Sequence, residues 1–317
     1  MVNIIALYPG QGSQYPQMAL DLYASSQKVR ELFALASEQT RRDLHLLLEN
    51  GSEEDLKRTE VTQLVVTLAN RSAHLRLAEL GYSFVCHSGF SLGELSAYAG
   101  AKILDDATLF TLVEKRSALM AEAAVRAEEI HGKLGMAAVI GMGYDGVLAI
   151  LKENSITGLY PANDNGPSQV VISGLLSSME EAKPLLMASG ARRVLPLKVS
   201  GPFHTPFMDD ATKEFSAFLE SLPFHDAKER VISSVNAEEV VTASQARDLL
   251  GRQLANPVRW TKVMQQVGAI RDESDRTMLA EVGSGTVLTG LWKNSGLGGV
   301  SIPLGKETEI QDMRKEG

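Results

Sequence analysis

The hydrophobic positions in the first part of the chain form short apolar runs separated by longer segments with helical spacing. Apolar runs occupy residues 1–8 and 84–86, and each leads into a small polar turn. Between them, apolar residues recur at helical spacing over 18–80, most clearly over 61–80, and a further long helix is predicted over 105–125. Strands that alternate with helices predict an α/β fold with a mainly parallel sheet covered on both faces.

The pattern changes in the middle of the chain, where shorter elements follow one another in a different order. Strands are predicted at 135–140, 158–162, 169–172 and 193–197, and helices at 144–153 and 177–188. The order β-α-β-β-α-β is that of the ferredoxin-like unit. We therefore predict a small ferredoxin-like subdomain at 132–197, inserted into a larger α/β domain formed by 1–131 and 198–317.

The pattern of the larger domain resumes after the insertion. Helices are predicted at 207–222, 243–254, 261–270 and 285–292, and a strand is predicted at 277–282. The residues from 306 onwards are polar and are expected to form a terminal helix or a frayed tail.

Composition narrows the class of protein. The 317 residues are 44% hydrophobic and 22% charged, which suits one large domain or two ordinary ones with a real core. A net charge of −8 argues against a general nucleic-acid binder. The N-terminus lacks the basic start of a signal peptide, and no apolar stretch reaches the ~20 residues of a membrane span. We expect a cytoplasmic protein without a nucleic-acid or membrane partner.

Cysteine and histidine usage argues against a metal site. The single cysteine, Cys86, lies in an apolar run and is expected to be a buried small hydrophobe. The six histidines lack the spacing of metal ligands, so no metal is expected. His45, His74 and His225 lie among polar residues and are expected at the surface. His87, beside the second predicted strand, is expected to be buried.

The sequence GFSLG at residues 89–93 carries the strongest chemical signal. It stands between an apolar run and a helix-like stretch, so it predicts a strand, a sharp turn and a helix with Ser91 at the apex. A serine on such a turn presents its hydroxyl outward, and the N–H of the next residue can help to stabilise an oxyanion. Ser91 is therefore a candidate nucleophile for acyl transfer. The alternative is an ordinary glycine-rich turn, in a chain with 27 glycines.

A serine nucleophile needs a general base, and His204 is the best candidate for it. It lies in the loop GPFHTPF at 201–207, whose glycine and two prolines restrict the path of the backbone. No carboxylate is evident as the third member of a triad. Asp209 and Asp210 are expected in the first turn of a helix, where acidic residues favour the helix dipole. A backbone carbonyl can orient the imidazole instead.

Five short motifs occur in a fixed order along the chain. They are GQGSQ at 10–14, GFSLGE at 89–94, EKRSALM at 114–120, FH at 203–204 and QLANPVRW at 253–260. Together they resemble the malonyl-CoA:acyl carrier protein transacylases of dissociated (type II) fatty acid synthesis. The resemblance covers nearly the whole chain, from residue 4 to about residue 304.

The resemblance implies an α/β-hydrolase-like large domain with a ferredoxin-like insert and the site between them. It implies Ser91 as nucleophile, His204 as base and Arg116 as the anchor of a substrate carboxylate. The remaining residues that it implies are the backbone N–H groups of Gln11 and Leu92 as oxyanion hole, the backbone carbonyl of Gln253 as the group that orients the base, and Asn165, Phe90 and Phe203 as residues that line the site.

Phe90 and Arg116 bear on how a substrate would be bound. The family usually has histidine where this chain has Phe90, so any hydrogen bond made by that histidine is lost, while the nucleophile and base are unaffected. Arg116 suits a carboxylate ligand because a guanidinium can grip a carboxylate with two parallel hydrogen bonds. The alternative for Arg116 is a surface arginine with Glu114 nearby.

The resulting hypothesis is a ping-pong acyltransferase. It would move malonyl from malonyl-CoA, through a malonyl-serine intermediate, to the phosphopantetheine thiol of acyl carrier protein, a transient partner. We expect a monomer without a bound cofactor. The alternatives are a malonyl transferase of malonate decarboxylase or of a trans-acting polyketide synthase system, a serine thioesterase or esterase, and an inactive scaffold subunit.

Overall fold

The computed structural model describes residues 2–199 and 201–316, which form two β-sheets surrounded by helices. The strands of the larger sheet lie in the order β7 (Arg230–Ile232), β2 (Ser83–Gly89), β1 (Asn3–Tyr8), β8 (Thr277–Glu281) and β9 (Ser301–Pro303). The strands of the smaller sheet lie in the order β4 (Leu159–Gly166), β5 (Gln169–Leu175), β3 (Leu134–Ile140) and β6 (Arg193–Pro196).

The helices cover both sheets. The α-helices are α1 (Leu20–Ser25), α2 (Gln27–Thr40), α3 (Leu44–Asn50), α4 (Thr59–Glu79), α5 (Gly93–Gly100), α6 (Asp106–His131), α7 (Tyr144–Glu153), α8 (Leu176–Ala188), α9 (Asp209–Leu219), α10 (Ala243–Arg252), α11 (Trp260–Arg271), α12 (Val287–Lys293) and α13 (Glu307–Glu316). Short 3-10 turns occur at Asp55–Lys57, Pro206–Met208 and Gln253–Ala255. Within the described ranges, no helix has both the length and the apolar character needed to cross a membrane.

Strand β1 forms the centre of the larger sheet, and both of its faces are covered. It pairs in parallel with β2 and β8, which in turn pair in parallel with the outer strands β7 and β9. Ile4 and Ala6 belong to one hydrophobic cluster, whereas Ile5 and Leu7 belong to another, which contains Trp260. Successive side chains of a strand point to opposite faces, so a strand buried on both faces is apolar throughout. The predicted parallel sheet is confirmed.

The smaller sheet has the strand order and pairing of a ferredoxin-like unit. Strand β3 pairs antiparallel with β5 and β6, and β4 pairs antiparallel with β5. Val147 of α7 and Leu186 of α8 share a separate hydrophobic cluster with Val139 and Ile172 of the strands. The predicted β-α-β-β-α-β order is therefore confirmed. The domain boundaries at 131/132 and 197/198 stay a prediction.

Two glycines allow β2 to turn directly into α5. A Cβ atom on Gly89 would overlap the backbone of Gly93, and a Cβ atom on Gly93 would overlap the carbonyl group of Tyr8. The Phe90 N–H also donates a hydrogen bond to the Tyr8 carbonyl, at 2.9 Å. The turn between β2 and α5 is therefore packed against the end of β1, with no room for side chains at either glycine.

Helix α4 is more deeply buried than its sequence indicates, since 16 of its 21 residues are buried. Two of its buried polar side chains have partners on other elements: Arg71 Nε donates to the partly buried carboxylate of Asp106 at 2.7 Å, and His74 Nδ1 lies 2.8 Å from the hydroxyl of the buried Tyr8. The prediction of His74 at the surface is therefore wrong, because its polar neighbours are buried with it. His87 is buried as predicted, with its Nδ1 3.0 Å from the same hydroxyl.

A few element bounds differ from the prediction. Helix α6 continues six residues beyond residue 125 and ends at His131, where Gly132 adopts a positive φ of 91° that stops the helix. Strands β7 and β9, of three residues each, were not predicted because such short runs show no alternation. Cys86 is fully buried in the cluster of Trp260, as expected.

Replacement of Gly89 by alanine tests the packing of the turn. We expect Gly89→Ala to lower the free energy of unfolding by ~3 kcal/mol, because the added methyl group overlaps backbone atoms that cannot move independently. Urea denaturation followed by circular dichroism gives the measurement. Gly290→Ala is the matched control: an added Cβ there meets no atom within 4 Å, and the residue lies inside α12. That variant should gain up to ~1 kcal/mol. Equal losses in both variants would contradict the packing argument.

Candidate active site

A cavity of about 420 Å³ lies where the turns that follow β1 and β2 face β3, β4 and β5 of the smaller sheet. Eight of the nine predicted site residues line it: Gln11, Phe90, Ser91, Leu92, Arg116, Asn165, Phe203 and His204. The ninth, Gln253, lies behind His204 and contacts it. The structure therefore brings together residues that are up to about 240 positions apart in the sequence, while their individual roles stay predictions.

Ser91 occupies the apex of the turn between β2 and α5. Its φ of 50° lies in the left-handed region, which is unusual for a residue with a side chain and is typical of strained functional turns. Its Oγ atom lies 2.8 Å from Nε2 of His204. The predicted strand, turn and helix are present, and the hydroxyl is within hydrogen-bond distance of a potential base.

The backbone holds His204 in one orientation and selects its tautomer. Its own φ is 61°, and its N–H donates to the Leu254 carbonyl at 2.9 Å. The ring atom Nδ1 lies 3.0 Å from the carbonyl of Gln253 and 3.1 Å from that of Asn256. Carbonyl oxygens only accept hydrogen bonds, so the neutral ring carries its proton on Nδ1. The lone pair of Nε2 is left to accept the proton of Ser91.

Burial and a neighbouring cation keep His204 unprotonated. Burial in the first place, and the charge of Arg116 in the second, lower the pKa of His204 to about 4, although the two carbonyl hydrogen bonds oppose this shift. Among the described residues, no carboxylate forms a hydrogen bond or ion pair with the imidazole. Asp209 and Asp210 are exposed in the first turn of α9, as predicted.

Arg116 is a buried cation beside the nucleophile. Its side chain is 1% exposed, which makes the surface alternative wrong. Nη1 donates to Oε1 of Gln63 at 2.7 Å, and Nη2 donates to Oε1 of Gln253 at 2.8 Å and to Ser91 Oγ at 3.3 Å. Burial lowers the pKa of Arg116 to about 10, against the opposing charge of Glu94, so the guanidinium remains charged at neutral pH.

The guanidinium of Arg116 has capacity for a further acceptor. Within residues 2–199 and 201–316, no carboxylate forms an ion pair with it, and its buried Nε atom has no hydrogen-bond partner. A buried charge without a counter-ion is unfavourable, and an anion that enters the cavity would relieve this cost. The site can therefore select an anionic group a few ångströms from the Ser91 hydroxyl.

Two backbone N–H groups are available for a developing oxyanion. The N–H groups of Gln11 and Leu92 make no hydrogen bond to any described residue, and both residues line the cavity. A Cβ atom on Gly10 would overlap the Phe90 carbonyl, so the loop after β1 lies directly against the turn that carries Ser91. This arrangement suits an oxyanion hole of two N–H groups.

The remaining predicted residues form the walls of the cavity. The ring of Phe90 packs edge-on against Trp260, with ring centroids 5.3 Å apart. Phe203 is buried beside His204. Asn163 and Asn165 of β4 each have a buried Oδ1 atom without a hydrogen-bond partner in the described part of the chain. These amides add polar groups to a wall that is otherwise largely apolar.

Sequence reasoning missed the polar residues behind Arg116. Gln63 of α4 and the Gln253 side chain hold the guanidinium, and Glu94 in turn accepts a hydrogen bond from Gln253 Nε2 at 2.7 Å. The only available signals were a glutamine inside an apolar helical stretch and an acidic residue directly after the GFSLG turn. In the described ranges, no group of three or more His, Cys, Asp or Glu side chains is arranged to hold a metal ion.

Comparison with known proteins identifies the group to which this site belongs. Residues 6–290 match the acyl transferase domain family. The chain is 36% identical over 296 residues to the malonyl CoA-acyl carrier protein transacylase of Escherichia coli (strain K12), and the match covers 92% of this chain and 93% of that protein. The family assignment therefore extends over nearly the full length of the chain.

Solved structures give the same result. The crystal structure of an acyl carrier protein S-malonyltransferase from Vibrio cholerae superimposes with a TM-score of 0.90 at 33% identity, covering 98% of this chain and 99% of that chain. A holo complex of a type II PKS acyl-carrier protein with its malonyl-transacylase gives a TM-score of 0.90 at 32% identity, covering 99% and 100%. The similarity therefore includes both sequence and fold.

The low pKa of His204 predicts an unusual pH dependence for the reactivity of Ser91. The rate of sulfonylation by phenylmethanesulfonyl fluoride should stay level as the pH falls from 8, and should drop with a midpoint near 4, where His204 gains its proton. Mass spectrometry of the intact protein gives the rate. A midpoint near the ordinary histidine value of about 6.5 would contradict the argument.

Arg116→Met serves as the control for the cause of this shift. Removal of the positive charge eliminates the repulsion of the imidazolium, so the midpoint should rise above that of the unmodified protein. An unchanged midpoint would mean that burial alone sets the pKa of His204.

Proposed function

This chain belongs to the malonyl-CoA:acyl carrier protein transacylases of the acyl transferase family, and we propose that it transfers malonyl from malonyl-CoA to an acyl carrier protein. The group would pass through an ester on Ser91 to the phosphopantetheine thiol of the carrier. The relatives named for this reaction support the proposal, and so does the spatial arrangement of Ser91, His204 and Arg116 around one cavity.

The buried cation of Arg116 beside Ser91 is the observation that carries the proposal. Malonyl differs from acetyl by one carboxylate, and a guanidinium without a carboxylate partner is the group best suited to recognise that difference. A serine hydrolase for neutral esters would gain nothing from a charge in this position. The alternative of a thioesterase or esterase is therefore less well supported.

The mechanism follows from the geometry. His204 Nε2 removes the proton of the Ser91 hydroxyl, and Oγ attacks the thioester carbonyl. The N–H groups of Gln11 and Leu92 stabilise the oxyanion. The carbon–sulfur bond then breaks, and the CoA thiolate takes the proton from His204. In the second half, His204 deprotonates the phosphopantetheine thiol, and the thiolate attacks the ester carbonyl. The bond between the acyl carbon and Ser91 Oγ then breaks, and His204 returns the proton to Oγ.

The backbone carbonyl of Gln253 takes the place of a triad carboxylate. It accepts the hydrogen bond of Nδ1–H and so fixes the ring, but it adds no negative charge to stabilise the imidazolium. In a thioester-to-ester transfer the leaving group is a thiolate, which is easier to expel than an amine and places less demand on the base. Residues of this chain can carry out every step of this mechanism, so we propose that no bound cofactor takes part.

The acyl carrier protein would be a transient partner. The structural similarity to a malonyl-transacylase in complex with its carrier protein supports this partner class. We propose that the carrier belongs to fatty acid synthesis, and that the enzyme is a cytoplasmic monomer. A trans-acting polyketide synthase system or malonate decarboxylase is the alternative pathway, and the similar complex with a type II PKS carrier keeps the first of these open.

Radiolabelled malonyl-CoA tests the proposed reaction directly. The label should appear on Ser91 and then move to added holo acyl carrier protein, whereas Ser91→Ala should take up none. Tryptic mapping locates the label, and gel electrophoresis follows its transfer. Release of free malonate faster than transfer to the carrier would instead support a thioesterase. Comparison of carriers from fatty acid and polyketide systems distinguishes the two pathways.

Substitution of Arg116 tests substrate recognition. We expect Arg116→Ala to lower kcat/KM for malonyl-CoA by about 30- to 1000-fold, because a charge-assisted bidentate pair of ~2–4 kcal/mol is lost. The rate with acetyl-CoA should stay level or rise, since it has no carboxylate. Arg116→Lys should recover only part of the malonyl rate, because an ammonium lacks the planar fork. An equal loss for both substrates would show that Arg116 is structural.

A further inference from the structure

Glu94 is a buried carboxylate that the mechanism above does not use. It lies in the first turn of α5, is fully buried and does not line the cavity. Ser234 Oγ donates to Oε2 at 2.6 Å, and Gln253 Nε2 donates to the same atom at 2.7 Å. The Ser234 N–H and the Tyr98 hydroxyl donate to Oε1, each at 3.3 Å. An ionised carboxylate only accepts hydrogen bonds, and all four contacts suit this form.

The contacts of Gln253 fix the orientation of its side-chain amide. Nε2 lies 2.7 Å from Glu94 Oε2 and 3.0 Å from the Ser91 carbonyl, and neither oxygen can donate. Oε1 must then face the other way, where Nη2 of Arg116 donates to it at 2.8 Å. A flipped amide would present its NH2 group to the guanidinium and its oxygen to two acceptors. Glu94, together with the Ser91 carbonyl, thereby determines which atom of Gln253 meets Arg116.

We propose that Glu94 is a positioning residue, which orients the Gln253 amide so that Arg116 is held ready for the malonyl carboxylate. This inference rests on the proposed function. Gln63 Oε1 accepts from Nη1 on the other side of the guanidinium. Two neutral amide oxygens therefore hold the guanidinium in place, and Glu94 orients one of them, that of Gln253. Gln253 also contacts His204 through its backbone carbonyl, but that contact does not depend on the side-chain amide.

The indirect connection has an advantage over a direct ion pair. A carboxylate bound to Arg116 would occupy the N–H groups that the substrate needs. Placed one side chain away, Glu94 contributes a stabilising charge to the buried cation, and Arg116 still lines the cavity. Burial raises the pKa of Glu94, while hydrogen bonds from its neighbouring serines and Gln253 oppose the rise.

Glu94→Gln tests the proposal through the ratio of malonyl to acetyl transfer. The variant keeps the size of the side chain but removes its charge and offers an NH2 group to partners that donate. We expect kcat/KM for malonyl-CoA to fall about tenfold and that for acetyl-CoA to fall less than threefold. In the Arg116→Ala background, the same change should shift the ratio less than twofold, because the group that it positions is absent.

Glu281→Gln is the matched control. Glu281 is equally buried and accepts hydrogen bonds from the N–H groups of Leu288 and Thr289, whereas Gln253 and Arg116 make their hydrogen bonds to other residues. Its substitution should leave the malonyl-to-acetyl ratio unchanged. An equal loss for both substrates in Glu94→Gln would mean that Glu94 only supports the fold. A rise in the ratio would mean that its charge merely competes with the substrate. Either result would overturn the proposal.

If Glu94→Gln does not fold, Gln253→Met tests whether the Gln253 amide positions Arg116. Methionine keeps the backbone carbonyl at His204 and a similar length, but it cannot accept from Arg116 as the amide does. The malonyl-to-acetyl ratio should again fall about tenfold, and an unchanged ratio would overturn the proposal. Failure of the proposed function would give a different result from failure of the proposal for Glu94. If the proposed function is wrong, Ser91 will not take up malonyl in the unmodified protein, or Arg116→Ala alone will leave the malonyl-to-acetyl ratio unchanged.

Discussion

The buried guanidinium of Arg116 is the constraint on which the arrangement of the site depends. A charge removed from water is unfavourable unless hydrogen bonds and a counter-charge compensate for it. Here the compensation comes from two neutral glutamine oxygens and from Glu94, which acts at a distance. These groups lie on α4, on the turn after α10 and on α5, so the need to stabilise one cation ties three separate parts of the large domain together. In the proposed function, the carboxylate of the substrate supplies the anion that completes the compensation.

The same cation limits the base. Its charge helps to lower the pKa of His204, which keeps the imidazole free of its proton but makes it a weak base. A carboxylate behind His204 would strengthen the base, yet it would also place a second negative charge near Arg116, in competition with a substrate carboxylate. The carbonyl groups of Gln253 and Asn256 orient the ring without this conflict. A malonyl carboxylate paired with Arg116, as proposed above, would offset this repulsion, so the substrate itself would favour protonation of His204 during the reaction.

The parts of the site that local sequence encodes were predictable, and those that depend on long-range packing were not. The turn at Ser91 and the loop at His204 have glycines and prolines that restrict the backbone locally, and both lie as predicted. The side chains that accept hydrogen bonds from Arg116 belong to Gln63 and Gln253. They are separated from it by 53 and 137 positions in the sequence, so no local pattern indicates them. Helix α4 was predicted, but its burial was not. Its polar residues look solvent-exposed in sequence, and only the fold shows that Arg71 and His74 are buried and have hydrogen-bond partners on other elements.

Phe90 makes the recognition of a substrate carboxylate depend more strongly on Arg116. Its ring lines the cavity and packs against Trp260, in the position where the family resemblance predicts a histidine. Phenylalanine cannot donate a hydrogen bond, so the wall beside Ser91 offers no side-chain donor there to a carboxylate. In the proposed function, Arg116 is the buried cation that distinguishes malonyl from acetyl, and a small rotation of the guanidinium would weaken its hydrogen bonds to the substrate carboxylate. A rigid support for the guanidinium, through Gln63 on one side and Gln253 on the other, therefore contributes to this recognition.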